Sequence, residues 1–172
     1  AAKLITYAIL GPDLAASLSV TSTDFTDVDA GRWSAPFISY LVGKGVINGM
    51  GDGTFDPTGK VTGYQLGKML LTAIGYGKNG EYTGTSWELN TAVDANKRGI
   101  FTGSKAANFT APATREEAAL YVFNGLTNAK AEQVAWDKTK EIYTTTGPTI
   151  AVDVYDLDTA TAELTANQAT GT

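Results

Sequence analysis

The feature that most restricts how this chain can fold is a Thr-x-x-Gln/Glu tetrad that occurs twice, as Thr62-Gly63-Tyr64-Gln65 and Thr114-Arg115-Glu116-Glu117. In such a tetrad the threonine hydroxyl accepts from the backbone N–H three residues on, while the Gln or Glu side chain reaches back to the threonine N–H. Both segments therefore open a helix. Behind each one the apolar residues recur at helical spacing, Leu66, Met69, Leu70, Ala73 and Ile74 in the first and Ala118, Tyr121, Val122 and Leu126 in the second. These stripes are expected to face a core.

The tetrads sit inside a longer repeat, and a repeated unit sets the architecture before any local propensity does. Trp33, Gly45 and Gly49 recur 54 positions later as Trp87, Gly99 and Gly103, with a helical segment between the tryptophan and the first glycine in each copy. The second helices are displaced by 52, because the intervening loops differ in length. At the start of the chain Lys3, Leu4, Ile5, Ala8 and Ile9 align with Lys68, Met69, Leu70, Ala73 and Ile74 at a displacement of 65. This segment is either what remains of another copy that has lost its front half or an unrelated amphipathic helix, and it is helical in both cases. In the loop "GVINGMGDGTFDPTGK", Gly45 is expected at the C′ position of the first helix. Val46, Ile47 and Phe55 should tuck inward, with Asp52 and Asp56 in water. The resulting organisation is a remnant first unit with its linker over 1–24, a full unit over 25–77, a divergent unit over 78–128 and a β-rich tail over 129–172.

The run "FTDVDAGRW" followed by "ISYLVGKGVINGMGDGTFDPTGKVT", from Phe25 to Thr62, resembles the S-layer homology repeat. It has the aromatic-x-Asp-Val lead-in, a helix opening near Trp, a Gly-Val-Ile-x-Gly turn, a Gly-Asp-Gly-x-Phe-x-Pro loop and a Thr-initiated second helix. The likeness extends to Leu126, more loosely in the second copy, where "GEYTGTSW" and "SKAANFTAP" replace the lead-in and the glycine-rich loop. The resemblance implies a mainly α fold of tandem helix-loop-helix repeats packed as a pseudo-symmetric helical spindle. It also implies grooves that hold secondary cell-wall polysaccharide, and a contact from an Arg in a Thr-Arg-Ala-Glu motif. A bidentate guanidinium at a helix N-terminus suits an anionic carboxylate. Thr114, Arg115 and Glu116 match that motif once, whereas Gly63 stands where the other copy would carry Arg. Arg115 is thus either a glycan contact or a solvated first-turn residue. Trp33 and Trp87 are candidate sugar-stacking platforms, although each begins a helix and core burial is the stronger expectation. Asp27 is either a ligand contact or a local turn-former.

Composition closes off other chemistries. The 172 residues hold no Cys and no His, which excludes disulfides, thiolate metal sites, the Ser-His-Asp triad and the usual zinc ligand sets. The net charge of −5 argues against nucleic acid as a partner. No apolar run approaches the length of a membrane span. No cofactor is implied, no two acids occupy a recognisable hydrolytic motif, and the chain reads as a non-enzyme. Its start, Ala1-Ala2-Lys3, reads as that of a processed or truncated product.

In the tail, Val134, Trp136, the polar Asp137-Lys138-Thr139-Lys140 centre and Ile142 read as a hairpin, with a helix over 129–143 as the competing reading. From Pro148 onward, Ile150, Val152 and Val154 alternate with Ala151, Asp153 and Tyr155, which reads as a strand. Such a strand would offer its open edge to a neighbouring subunit. Asp153, Asp156 and Asp158 lack the glycine-turned loop of a calcium site. Two functions are compatible with all this. One is an extracellular bacterial surface protein attached non-covalently to secondary cell-wall polysaccharide. The other is a self-assembling subunit of a surface layer or filament, a homo-oligomer or polymer joined by the C-terminal strand, with glycan binding weakened or lost.

Overall fold

A computed structural model describes residues 1–135 and 143–157, which form seven helices and two strands. In order they are α1 (Ala2–Leu10), α2 (Pro12–Ser17), α3 (Ala35–Gly43), α4 (Gly63–Ala73), α5 (Trp87–Lys97), α6 (Arg115–Thr127), β1 (Lys130–Ala135), β2 (Tyr143–Thr149) and α7 (Ile150–Asp153). The described part is mostly helical.

The repeat is visible in how the helices start and stop. At α4 the Gln65 N–H donates to Thr62 Oγ1 at 3.2 Å and the Thr62 N–H donates to Gln65 Oε1 at 2.8 Å. At α6 Glu117 and Thr114 make the same reciprocal pair at 3.2 and 2.8 Å. Both are complete capping boxes, each satisfying donors that a helix start otherwise leaves orphaned. The first-type helices α3 and α5 end alike. Gly45 (φ 68°) and Gly99 (φ 73°) take the left-handed C′ conformation that costs a residue without Cβ nothing. The following N–H groups return to the helix, Val46 to the Leu41 carbonyl at 2.9 Å and Ile100 to the Ala95 carbonyl at 2.8 Å. This is the Schellman closure, and it drives Val46 and Ile100 into the core.

The second-type helices α1, α4 and α6 touch one another pairwise, and further helices pack outside them: α2 and α3 on α1, α5 on α4 and α7 on α6. Their meeting faces supply Ile5, Leu66, Leu71 and Tyr121, all fully buried, and Ile38 and Leu41 of α3 complete the centre with Ile100. The expected stripe on α4 is thereby present but wider, since Leu71 joins Leu66, Leu70 and Ile74 among the buried residues. Asn124 is one of four buried polar residues among the described residues, with Thr6, Ser34 and Thr91. Its Nδ2 donates to the carbonyls of Ile100 (2.9 Å) and Thr102 (2.8 Å), fixing the turn after α5 onto α6.

Two expectations fail. Trp33 is not a core residue: it stands in the turn before α3 and is 68% exposed. Ala35, Phe37, Ile38 and Leu41 of α3 fill the interior that the tryptophan was expected to occupy. The segment after Pro148 does not continue as a strand. It turns into the short α7, because Ile150 and Ala151 are adjacent in sequence yet both buried against the body, a pairing that strand alternation forbids. Residues 150–153 therefore offer no open strand edge. Before α7, β1 and β2 pair antiparallel with an irregularity between Lys130 and Glu132. The expected hairpin centre, with Trp136, Asp137-Lys138-Thr139-Lys140 and Ile142, lies outside the described residues, as does everything from Asp158 onward.

Candidate functional site

Two grooves open beside the central helices. The larger, about 600 Å³, is lined by the turn before α3, the glycine-rich loop and the start of α5, with Trp33, Met50 and Trp87 among its residues. Its tryptophans are placed by local structure. The Asp29 carboxylate accepts the Gly31 N–H at 2.7 Å, and Arg32 Nε donates to Ser34 Oγ at 2.9 Å, which shapes the turn that presents Trp33. Trp87 is the first residue of α5. Lys68 of α4 lies over the Trp87 ring, with Nζ 5.5 Å from the ring centroid, a cation–π geometry that fixes both side chains at the rim. Lys3 and Lys60 line the same groove, where Asp56 is the one carboxylate among the lining residues. In a chain of net charge −5 this groove gathers positive charge.

The smaller groove, about 240 Å³, lies between the starts of α1 and α6 and is bordered by Ala1, Leu4, Val61, Thr114, Arg115 and Ala118. Arg115 is exposed at the first position of α6. The Thr114 hydroxyl accepts the Glu117 N–H in the capping box, which fixes the helix start that presents Arg115. Glu116 borders neither groove.

Asp27 lines neither groove. Its two carboxylate oxygens accept the N–H groups of Phe55 (2.8 Å) and Asp56 (2.7 Å), and the Thr26 N–H donates to the Gly53 carbonyl at 3.0 Å. The residue ties the lead-in segment to the glycine-rich loop. Partial desolvation raises its pKa, but the Phe55 and Asp56 donors outweigh this and hold the carboxyl below its ordinary value.

The vacant Arg position at Gly63 has a structural explanation. A Cβ at Gly63 would come within 2.9 Å of Phe109 Cδ1 and 3.2 Å of the Phe109 carbonyl oxygen. The helix start is also occupied: the Tyr64 N–H donates to the Phe109 carbonyl at 3.1 Å, and the Ala113 N–H donates to the Val61 carbonyl at 2.8 Å. One turn later a Cβ at Gly67 would meet Phe101 at 2.6 Å. The two glycines, four apart on one face, admit a cluster in which Phe109 packs on Phe101 (4.5 Å between centroids) and stacks on Tyr64 (5.4 Å). The N-terminus of α4 is closed by protein, while that of α6 is open.

The six residues singled out from sequence thus separate. Trp33 and Trp87 share one groove, Thr114 and Arg115 border the other, Asp27 is a loop tie and Glu116 stands apart. The sequence reading missed the lysines. A signal for two of them was present, since Lys3 and Lys68 are equivalent in the repeat alignment, and each packs over an aromatic ring of the outer helix it meets: Lys3 Nζ is 5.7 Å from the Phe37 centroid.

The sequence profile of the S-layer homology domain matches residues 24–65. The match spans the lead-in, α3, the glycine-rich loop and the first turn of α4. Two known proteins are similar. S-layer protein EA1 of Bacillus anthracis is 46% identical over 41 residues, which is 24% of this chain and 5% of that protein. A surface layer protein of Brevibacillus choshinensis is 32% identical over 66 residues, 38% of this chain and 6% of that protein. The matches thus span about one twentieth of the length of these relatives.

Proposed function

We propose that this chain is a non-catalytic module that holds a bacterial surface-layer or fibre protein to the cell wall, outside the cell, by binding secondary cell-wall polysaccharide. The observation that carries the reading is the larger groove, whose lining brings Trp33 and Trp87 together with Lys3, Lys60 and Lys68. Indole faces suit the apolar faces of pyranose rings, and ammonium groups suit acidic substituents on the same polymer. Arg115 in the smaller groove supplies a second, weaker point of contact. We read α1, α4 and α6 as the second helices of three units arranged as a pseudo-threefold spindle, with residues 1–24, 25–77 and 78–128 as the three units and 129–172 as a separate tail.

The test is retention on purified wall sacculi with and without the secondary polysaccharide. Retention should require the polysaccharide and fall about tenfold for the Trp33→Ala, Lys68→Ala double variant, equivalent to about 1.4 kcal/mol. Arg115→Ala should lower it less. Equal retention on stripped and intact sacculi, or none on either, rejects the reading.

A further inference from the structure

The outer place on α6 is filled differently from the outer places on α1 and α4. Those two carry α3 and α5, nine and eleven residues long and closed by the same glycine turn. On α6 the place is taken by α7, four residues that arrive from the far side of the β1–β2 pair. The segment is nonetheless well anchored. Ile150 and Ala151 are buried, the Val154 N–H donates to the Ile150 carbonyl at 2.9 Å and the Leu157 N–H donates to the Ala151 carbonyl at 2.9 Å, winding residues 150–157 into a compact knot. From that knot Tyr155 packs against the core and donates its hydroxyl to the Tyr7 carbonyl of α1 at 2.6 Å. Val154 lies beside Gly11, where a Cβ would sit 3.7 Å from Val154 Cγ1.

We propose that residues 150–157 are a strap that holds α1 against α6, and so sets the width of the smaller groove in which Arg115 stands. One end of the strap is seated on α6 through Ile150 and Ala151; the other grips the C-terminal end of α1 through Tyr155 and Val154. The groove lies at the opposite end of α1, where Ala1 and Leu4 face Thr114, Arg115 and Ala118. At 1.5 Å per residue α1 is only about 14 Å long, so a tilt at its Tyr155-held end is carried to its Ala1–Leu4 end. Seating and release of the strap would therefore open or narrow the Arg115 groove while α4 and α5 stay in place. This goes beyond the wall-binding reading and does not require it.

The test uses the full chain and two readouts. Hydrogen exchange is followed at the amides of α1, α4 and α5. Because the chain has no cysteine, Lys3→Cys and Ala119→Cys can carry a single pair of spin labels that reports the α1–α6 distance. Ile150→Asp and Tyr155→Ala should each speed exchange in α1 at least fivefold and broaden the label distance, with α4 and α5 unchanged. Tyr155→Phe should give a smaller effect in the same direction. Val152→Asp, on the exposed side of α7, should change neither readout. If α1 exchange and the label distance stay at their wild-type values in both strong variants, residues 150–157 are not a strap. If α4 and α5 lose protection together with α1, the segment is only part of one cooperative core and the proposal is equally overturned.

Discussion

Gly63 and Phe109 are in van der Waals contact across the boundary between the two units, so close that the glycine has no room for even a methyl group. The aromatic cluster and an Arg at this helix start are mutually exclusive. Gly63→Arg is expected to lower stability by about 1–3 kcal/mol through overpacking and to leave wall retention unimproved. Urea unfolding beside the sacculus assay checks both halves; a variant that binds more tightly at unchanged stability would refute it.

Gly67 gives a sharper form of the same point. In an exposed helix, Gly→Ala adds about 1 kcal/mol of stability from propensity alone. Here the new methyl would meet Phe101 at 2.6 Å, so Gly67→Ala should be destabilising despite the better helix former. A rise in the unfolding midpoint would show that the ring yields freely.

Asn124 holds two carbonyls that no other side chain reaches among the described hydrogen bonds, those of Ile100 and Thr102. Removing the amide leaves the buried Ile100 carbonyl unpaired and exposes the Thr102 carbonyl to water, and Asn124→Ala should cost about 1–3 kcal/mol. The accompanying loss of amide protection should appear first at the turn after α5.

Asp27 predicts a pH signature. Its folded pKa lies below the ordinary value of 3.8, so the stability it contributes is fully present above that value and is lost as pH falls through the lower, folded one. The difference between wild type and Asp27→Asn should be constant from about pH 7 to about pH 5 and shrink below about pH 4. Asp52, whose pKa is also lowered by the Thr54 hydroxyl and N–H, titrates in both proteins, and its charge acts on Asp27 in the opposite sense to the Phe55 and Asp56 donors. A difference that grows on acidification would contradict the assigned role.

What the sequence revealed and what it hid divide by range of interaction. The capping boxes at Thr62 and Thr114 and the glycine closures at Gly45 and Gly99 are made within six residues of chain, and their residues can be read directly. Leu71 lies outside the stripe that the sequence spacing defines, and its burial shows only once α1, α5 and α6 pack on α4. Trp33 was assigned inward because an aromatic at a helix start ordinarily packs; only the occupancy of that space by Phe37, Ile38 and Leu41 sends it outward. The alternation after Pro148 was real, but burial of Ile150 and Ala151 against α6 outweighed it. Of the candidate site, the tryptophans were legible as types, whereas the lysines that join them come together only when α1, α4 and the glycine-rich loop converge.

The contact between Tyr155 and Tyr7 has a mechanical consequence. The chain leaves α6 toward the tail and is pinned twice on its way, once where the Tyr76 hydroxyl donates to the Lys130 carbonyl at 2.9 Å and again at Tyr7. Tension drawn on the chain beyond Leu157 reaches the Tyr155 pin before it can peel β2 from β1. The first contact to yield under such a load is the Tyr155 hydroxyl on the Tyr7 carbonyl, together with the packing of the Tyr155 ring on the core. A pull on the tail is thus felt at α1 before it is felt at the strand pair.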